Sequence, residues 1–253
     1  MNFDLFDILK MNFDLFDILK KNQNNTIVSN KKNPDIHVIS GCIGSGKSTL
    51  IPYLKEYLNE KNRKVYCVKE FTTDTIVDEM NYFYKMVELY KNDKVRLTGI
   101  YFWIQDKIIS EYENFIKSFE FEKYDDIIFE RTYFDTIIFT KYGITDESIK
   151  DFHFDYLNEK INKVNEMMIK KSLKFNNVIY INTNGNNCIK RINKRIVNND
   201  DIDFDRKGEK NLDMINFHNL YENDFKYIYQ SYVSFDNNMN LSNENLKENL
   251  LIF

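Results

Sequence analysis

The chain has 253 residues, of which 43% are hydrophobic and 15% aromatic, which supports a large core in one domain with an added arm and excludes wholesale disorder. Its formal net charge of −4 at pH 7 gives no general field for gripping nucleic acid or an anionic membrane. No apolar run approaches the roughly eighteen residues that a membrane span requires, so neither kind of partner is expected.

Single residue types are used unevenly. Alanine is missing, and Asn numbers 34 and Lys 29 against six Arg. Lys stands wherever a bare positive charge suffices. Arg63, Arg96, Arg131, Arg191, Arg195 and Arg206 therefore mark positions where a planar, two-pronged donor is worth looking for. Cys42, Cys67 and Cys188 are odd in number and form no C-x-x-C pair, which fits a reducing compartment and no zinc knot. Asp4 and Asp7 among the first apolar residues argue against a secretory leader and against an Arg-rich presequence. A cytoplasmic location is expected.

In chain order, residues 1–10 (MNFDLFDILK) recur unchanged as residues 11–20, a unit too short for a solenoid. Phe3, Phe6, Leu9 and their copies could line one helix face, and a recent duplication explains them equally well. Residues 21–34 are polar and read as a flexible linker ending at Pro34, so the domain is expected over 35–253. Residues 36–40 (IHVIS) form an apolar run feeding a glycine loop, and 47–59 read as a helix. A second β-type run covers 64–69, followed by helical spacing from 75 to 118, broken near 91–94. Residues 126–130 (DIIFE) give a third strand, then helices are expected at 133–142 and 146–173. A fourth strand at 177–182 (NVIYIN) precedes a basic helix at 188–197, a charge-dense loop at 198–211 and a helix at 212–229. Residues 232–236 give a fifth strand. Continuous apolar strands alternating with helices predict an α/β fold, a parallel sheet covered on both faces.

Three of the seven glycines fall between positions 41 and 46. Residues 41–48 read G-C-I-G-S-G-K-S, matching G-x-x-x-x-G-K-[ST] between a strand and a helix, the P-loop arrangement. Gly41, Gly44, Ser45, Gly46 and Thr49 would shape an anion cradle of backbone N–H groups backed by a helix dipole. Lys47 would contact the β- and γ-phosphates and Ser48 would ligate Mg²⁺, so ATP with Mg²⁺ is the expected donor. A switch GTPase should carry Asn-Lys-x-Asp after a later strand, where this chain has INTNG. A motor ATPase should end a strand in Asp-Glu, where this chain has Glu130-Arg131-Thr132. A small-molecule kinase fits better.

Ligands of open parallel sheets bind beyond the carboxyl ends of the strands. Glu70 directly follows the second run, where a carboxylate could accept the proton of an attacking hydroxyl, or be a solvent-facing Glu. Glu130 could hold Mg²⁺ through water, and Arg131 could neutralise the acceptor or the phosphoryl group, or the two could form a structural ion pair. Arg191 and Arg195 lie four residues apart on a helix, so both project from one face. Nucleotide phosphates would balance them, and the loop that follows would act as an Arg-bearing lid.

This order of motifs resembles the deoxynucleoside kinase family, from about Ile36 to Tyr229. The strongest signals are G-x-I-G-S-G-K-S-T at 41–49 and the E-R-S-type strand end at Glu130-Arg131-Thr132. The resemblance implies a P-loop kinase with a five-stranded parallel sheet flanked by helices. It also implies transfer of the ATP γ-phosphoryl group to the 5′-hydroxyl of a deoxyribonucleoside, with Glu70 as base and Phe71 where the family usually has proline. The segment VELYKND matches the family's L-x-Y-K-x-D and gives Tyr90 as the sugar-contacting tyrosine. The base-reading glutamine would be Gln105, four residues beyond Tyr101, where an ungapped count lands. In KRINKRIVNNDD, Arg191 and Arg195 match two lid arginines, Val197 replaces a third, and Asp200 or Asp201 stands for the sugar-binding glutamate. Arg206 or Lys207 could restore the missing charge. The resemblance further implies a homodimer through helices near 95–118 and 146–173. A deoxynucleoside monophosphate kinase, with Arg96 or the lengthened lid meeting the acceptor's phosphate, and a nucleotide-binding module without turnover are the alternatives. His37, His153 and His218 have no metal-ligand spacing and are expected to be structural.

Overall fold

The computed structural model describes residues 33–143, 150–198, 214–229 and 231–237. Five strands form one all-parallel sheet: β1 (Asp35–Ser40), β2 (Val65–Val68), β3 (Asp126–Glu130), β4 (Phe175–Asn182) and β5 (Val233–Asp236), in the order β2-β3-β1-β4-β5. Between them run α1 (Lys47–Glu60), α2 (Phe71–Asp74), α3 (Val77–Leu89), α4 (Lys94–Ser118), α5 (Asp135–Gly143), α6 (Lys150–Lys170), α7 (Gly185–Asn198) and α8 (Met214–Ile228). The expected α/β sheet is therefore present. The arm and linker at 1–32 lie outside the described residues, as do the loop residues Asp200, Asp201, Arg206 and Lys207.

Alternation along the strands divides the core between two covers. Ile39, Ile128, Ile179 and Ile181 face α1, which meets them with Leu50, Leu54 and Leu58, spaced one helical turn apart. Their neighbours Val38, Ile127, Phe129, Val178 and Tyr180 face the other way into a larger cluster. That cluster takes in Tyr112 and Ile116 of α4, Ile161 and Val164 of α6, and Phe217, Tyr221 and Phe225 of α8. Both covers are needed because every central strand is apolar on both faces.

Among the boundaries that differ from the sequence expectation, two have evident local reasons. The basic helix begins at Gly185 rather than 188, because the Asn184 side chain accepts the Asn187 N–H at 2.9 Å and caps the first turn. The helix after β3 begins at Asp135 rather than 133, because the Thr132 hydroxyl accepts the Phe134 N–H at 3.2 Å and holds the turn open.

A polar cluster closes the amino ends of the strands, away from the glycine loop. Asp126 is fully buried. It accepts from the Arg63 Nη2 at 2.8 Å and from His37 Nε2 at 2.8 Å, while Asn177 donates to His37 Nδ1 at 3.0 Å. Arg63 also reaches Asp35 at 2.6 Å, so β1, β3 and β4 are tied at one end. Asp126→Ala removes the acceptor of His37 Nε2 and leaves Arg63 only its remaining partners, and a loss of roughly 3 kcal/mol in unfolding free energy is expected by denaturant titration.

Candidate active site

The loop leaving β1 turns back sharply before α1. Gly44 and Gly46 have φ of 76° and 105°, in the left-handed region. A Cβ on Gly44 would lie 2.8 Å from the Cys188 carbonyl oxygen, and one on Gly46 would lie 2.5 Å from Asn237 Nδ2. Lys47 curls over this loop, its Nζ donating to the carbonyls of Gly41 and Cys42 at 3.1 Å each, with only 5% of the residue exposed. Burial pushes its ammonium down to about 8, with Arg131 adding to the effect and Glu130 and Glu70 opposing it. Ser45 is buried and its Oγ has no partner among the described residues.

Sheet order explains the next contacts. β3 lies between β2 and β1, so a side chain at the end of β3 can reach the segments leaving both neighbouring strands. Arg131 does this. Its Nη1 donates to Glu70 Oε1, beyond β2, at 2.5 Å, and its Nη2 donates to the Gly41 carbonyl, beyond β1, at 3.1 Å. Its backbone is left-handed, φ 64°, with the N–H held by the Ile39 carbonyl at 3.0 Å. A non-glycine residue in that region is strained by about 1–2 kcal/mol. Burial opposes the guanidinium charge, but Glu70, Tyr221, Asp135 and Glu130 more than restore it and hold it above its ordinary value. Arg131 Nε is buried without a partner among the described residues. On the same edge the Ser48 hydroxyl donates to Glu130 Oε1 at 2.9 Å.

The structure thus brings Gly41, Lys47, Ser48, Glu70, Glu130 and Arg131 together. Thr49 lies one residue on, exposed on the first turn of α1. Gln105 lies on the inward face of α4, 4% exposed, with Oε1 buried and unpartnered among the described residues. It shares that face with Ile109 and Tyr112, which lead toward the strand ends, where the Tyr112 ring meets Phe71 at 4.6 Å. Tyr101, the other candidate, packs edge-on to Phe83 at 5.1 Å in a separate apolar cluster. Tyr90 caps the end of α3, and the guanidinium of Arg96 lies 4.7 Å above its ring. Arg191 sends Nη1 to the Ser45 carbonyl at 2.9 Å and Nη2 to the Asn237 carbonyl at 2.7 Å. Arg195 lies one turn further along α7, and its side chain lies outside the described set, as does all of Asp200.

Sequence reasoning missed a buried network beside this edge. Asp135, 1% exposed, accepts from Ser40 Oγ at 2.5 Å, from the Thr132 N–H at 2.7 Å and from the Tyr229 hydroxyl at 3.1 Å, and it also bonds the Tyr221 hydroxyl. A lone acid two residues into an apolar run (TYFDTIIF) is the available signal. Its partners on and just after α8 lie more than eighty residues away.

A family model described as deoxynucleoside kinase matches residues 37–251. The chain belongs to the deoxynucleoside kinase family. Comparison with curated proteins gave no match. The kinase fold of this family accounts for the glycine loop as a nucleotide site, and no described helix is long and apolar enough to cross a membrane.

Family kinases use ATP with Mg²⁺. Ser48 Oγ and Glu130 Oε1 at the open end of the loop are hard oxygen donors that fit this ion, which keeps waters and phosphate oxygens for its other positions. No group of three His, Cys, Asp or Glu able to hold a metal occurs among the described residues.

The buried ammonium of Lys47 has two measurable effects. Its pKa falls from the ordinary 10.5 to about 8 on folding, so between these values the unfolded chain binds more protons and stability rises with pH. The charged lysine therefore weakens the ligand-free protein at pH 7. Lys47→Met is expected to stabilise it by roughly 1–3 kcal/mol in thermal unfolding while abolishing nucleotide binding. Because phosphate favours the charged form, ATP affinity should be level below about pH 8 and fall above it, with proton uptake detected by calorimetry in buffers of different ionisation heat.

Proposed function

We propose that this kinase transfers the γ-phosphoryl group of ATP to the 5′-hydroxyl of a deoxyribonucleoside. The observation that carries the reading is the Arg131 guanidinium, joined to Glu70 at 2.5 Å and to the first carbonyl of the nucleotide loop at 3.1 Å. A hydroxyl bonded to Glu70 would then lie beside the γ-phosphate, and proximity supplies much of the rate in phosphoryl transfer. Glu70 takes the proton as the O–P bond forms. Lys47 and Arg131 stabilise charge on the transferring group, Arg195 contacts the donor nucleotide, and Arg191 acts on it from behind the loop through the Ser45 carbonyl. Ser48 and Glu130 would hold Mg²⁺, which supplies further neutralisation of the phosphate oxygens. Gln105 presents a buried acceptor for a donor group of the base, Tyr90 meets the 3′-hydroxyl, and Asp200 completes the sugar contacts.

The monophosphate kinase reading needs a free cation at the acceptor. Of the two cation sources considered, Arg96 is matched by Asp93 at 3.2 Å, and the lengthened lid lies outside the described residues. We also propose a homodimer through α4 and α6, supported by Phe152 and Tyr156, one turn apart on α6 and exposed by 71% and 40%. Sedimentation should give twice the chain mass, and Phe152→Glu should shift it toward the monomer.

The deciding assay offers each of the four natural deoxynucleosides and their monophosphates with labelled ATP. Label should pass to at least one nucleoside; transfer only to monophosphates, or to neither, overturns the reading. Glu70→Gln should lower kcat by about 10²–10⁴-fold with the KM for ATP little changed. Unchanged kcat would remove Glu70 from the base role.

A further inference from the structure

One carbonyl on the outer side of the nucleotide loop receives three donors. The Ser45 oxygen accepts from Asn237 Nδ2 at 2.7 Å, from Arg191 Nη1 at 2.9 Å and from Thr183 Oγ1 at 3.0 Å. These come from three separate places: the residue after β5, the middle of α7, and the residue after β4. They are also tied to one another. Arg191 Nη2 donates to the Asn237 carbonyl at 2.7 Å, and the Asn237 N–H donates to the Asn182 carbonyl at 2.9 Å. Thr183 is fully buried.

A carbonyl oxygen has two lone pairs, and ordinary packing asks for one donor. Three donors on one oxygen fix the direction of that peptide plane. Because a trans peptide sets its C=O and N–H on opposite sides, an oxygen held outward aims the Gly46 N–H into the loop's concave side. Gly46 is left-handed, and a Cβ there would lie 2.5 Å from Asn237 Nδ2, so the side chain that pins the plane occupies the space a larger residue would need.

We propose that Thr183 and Asn237 are positioning residues for donor phosphate binding: with Arg191 they lock the 45–46 peptide so that the Gly46 N–H faces the phosphate before the nucleotide arrives. An N–H fixed beforehand loses no freedom on binding, and this preorganisation appears as affinity. The proposal rests on the loop being the nucleotide site and needs no particular acceptor.

The test is equilibrium binding of ATP with Mg²⁺ in the full chain, measured without any acceptor, on Thr183→Val, Thr183→Ser and Thr183→Val/Asn237→Ala. A neutral hydrogen bond corresponds to about a fivefold change in affinity. Thr183→Val should therefore weaken ATP binding about fivefold, Thr183→Ser should restore it, and the double variant should lose roughly tenfold or more. A role confined to stability would lower the Tm and leave the affinity of the folded protein unchanged. A loss below twofold for Thr183→Val overturns the proposal and a larger one supports it; this near-isosteric variant decides alone if the double variant does not fold. If the unaltered protein does not bind ATP, the proposal fails together with the nucleotide site. If it binds ATP but phosphorylates no deoxynucleoside, only the acceptor reading fails.

Discussion

The geometry of this site hangs on a buried guanidinium shared by three adjacent strand ends. Because β3 runs between β1 and β2, the residue just beyond it borders both the nucleotide loop and the segment leaving β2. Arg131 uses its planar fork to bond both at once, Gly41 on one side and Glu70 on the other. A lysine could not do this, since a single ammonium on a flexible stem has no fixed pair of directions. In a chain with 29 lysines and six arginines, that geometric demand explains why the position is Arg. The backbone beneath it is left-handed, and its guanidinium lies 5.0 Å over the Phe139 ring of α5.

Charge in this pocket is arranged against the stability of the empty protein. Lys47 and Arg131 are each 5% exposed. Arg131 makes it harder for Lys47 to stay protonated, and the same acids, Glu70 and Glu130, offset both cations. For Lys47 that offset is incomplete, because burial and Arg131 outweigh the two acids, whereas Arg131 is held above its ordinary value. An incoming polyphosphate relieves the imbalance, so part of the nucleotide's affinity is the removal of a folding penalty. Kinases meet a transition state rich in negative charge, and donors fixed in advance avoid the reorganisation that water would require.

Much of this was legible in the sequence because it is local. Strand, glycine cluster and the start of the helix are contiguous, and the charged residues after β2 and β3 come directly behind their apolar runs. The rule that ligands sit beyond the carboxyl ends of parallel strands then brought Glu70 and Arg131 to the loop without any knowledge of side-chain contacts. Gln105 was harder, because its register against Tyr90 depends on how many residues the turn between α3 and α4 consumes. The Asp135 network and the donors on Ser45 were illegible for another reason. Their partners are separated by as many as 95 and 192 residues, and Thr, Asn and Tyr carry no pattern that distinguishes a buried donor from a surface one. Such contacts emerge only when the sheet order is fixed.

Those two long-range clusters have one more consequence when taken together. α7 and α8 are each tied to this edge of the sheet. On one side, Arg191 of α7 is bonded to the outer wall of the nucleotide loop. On the other, Tyr221 of α8 is bonded to Asp135, and Asp135 holds the Thr132 N–H beside the Arg131 turn. Tyr221 and Ser40 also meet at 2.7 Å, so the end of β1, from which the loop springs, belongs to the same network. The loop is consequently braced from two directions, by donors on its outer carbonyl and by a buried carboxylate behind its root. Both braces act from behind the loop, so the concave side stays open to phosphate while its N–H groups are held in place.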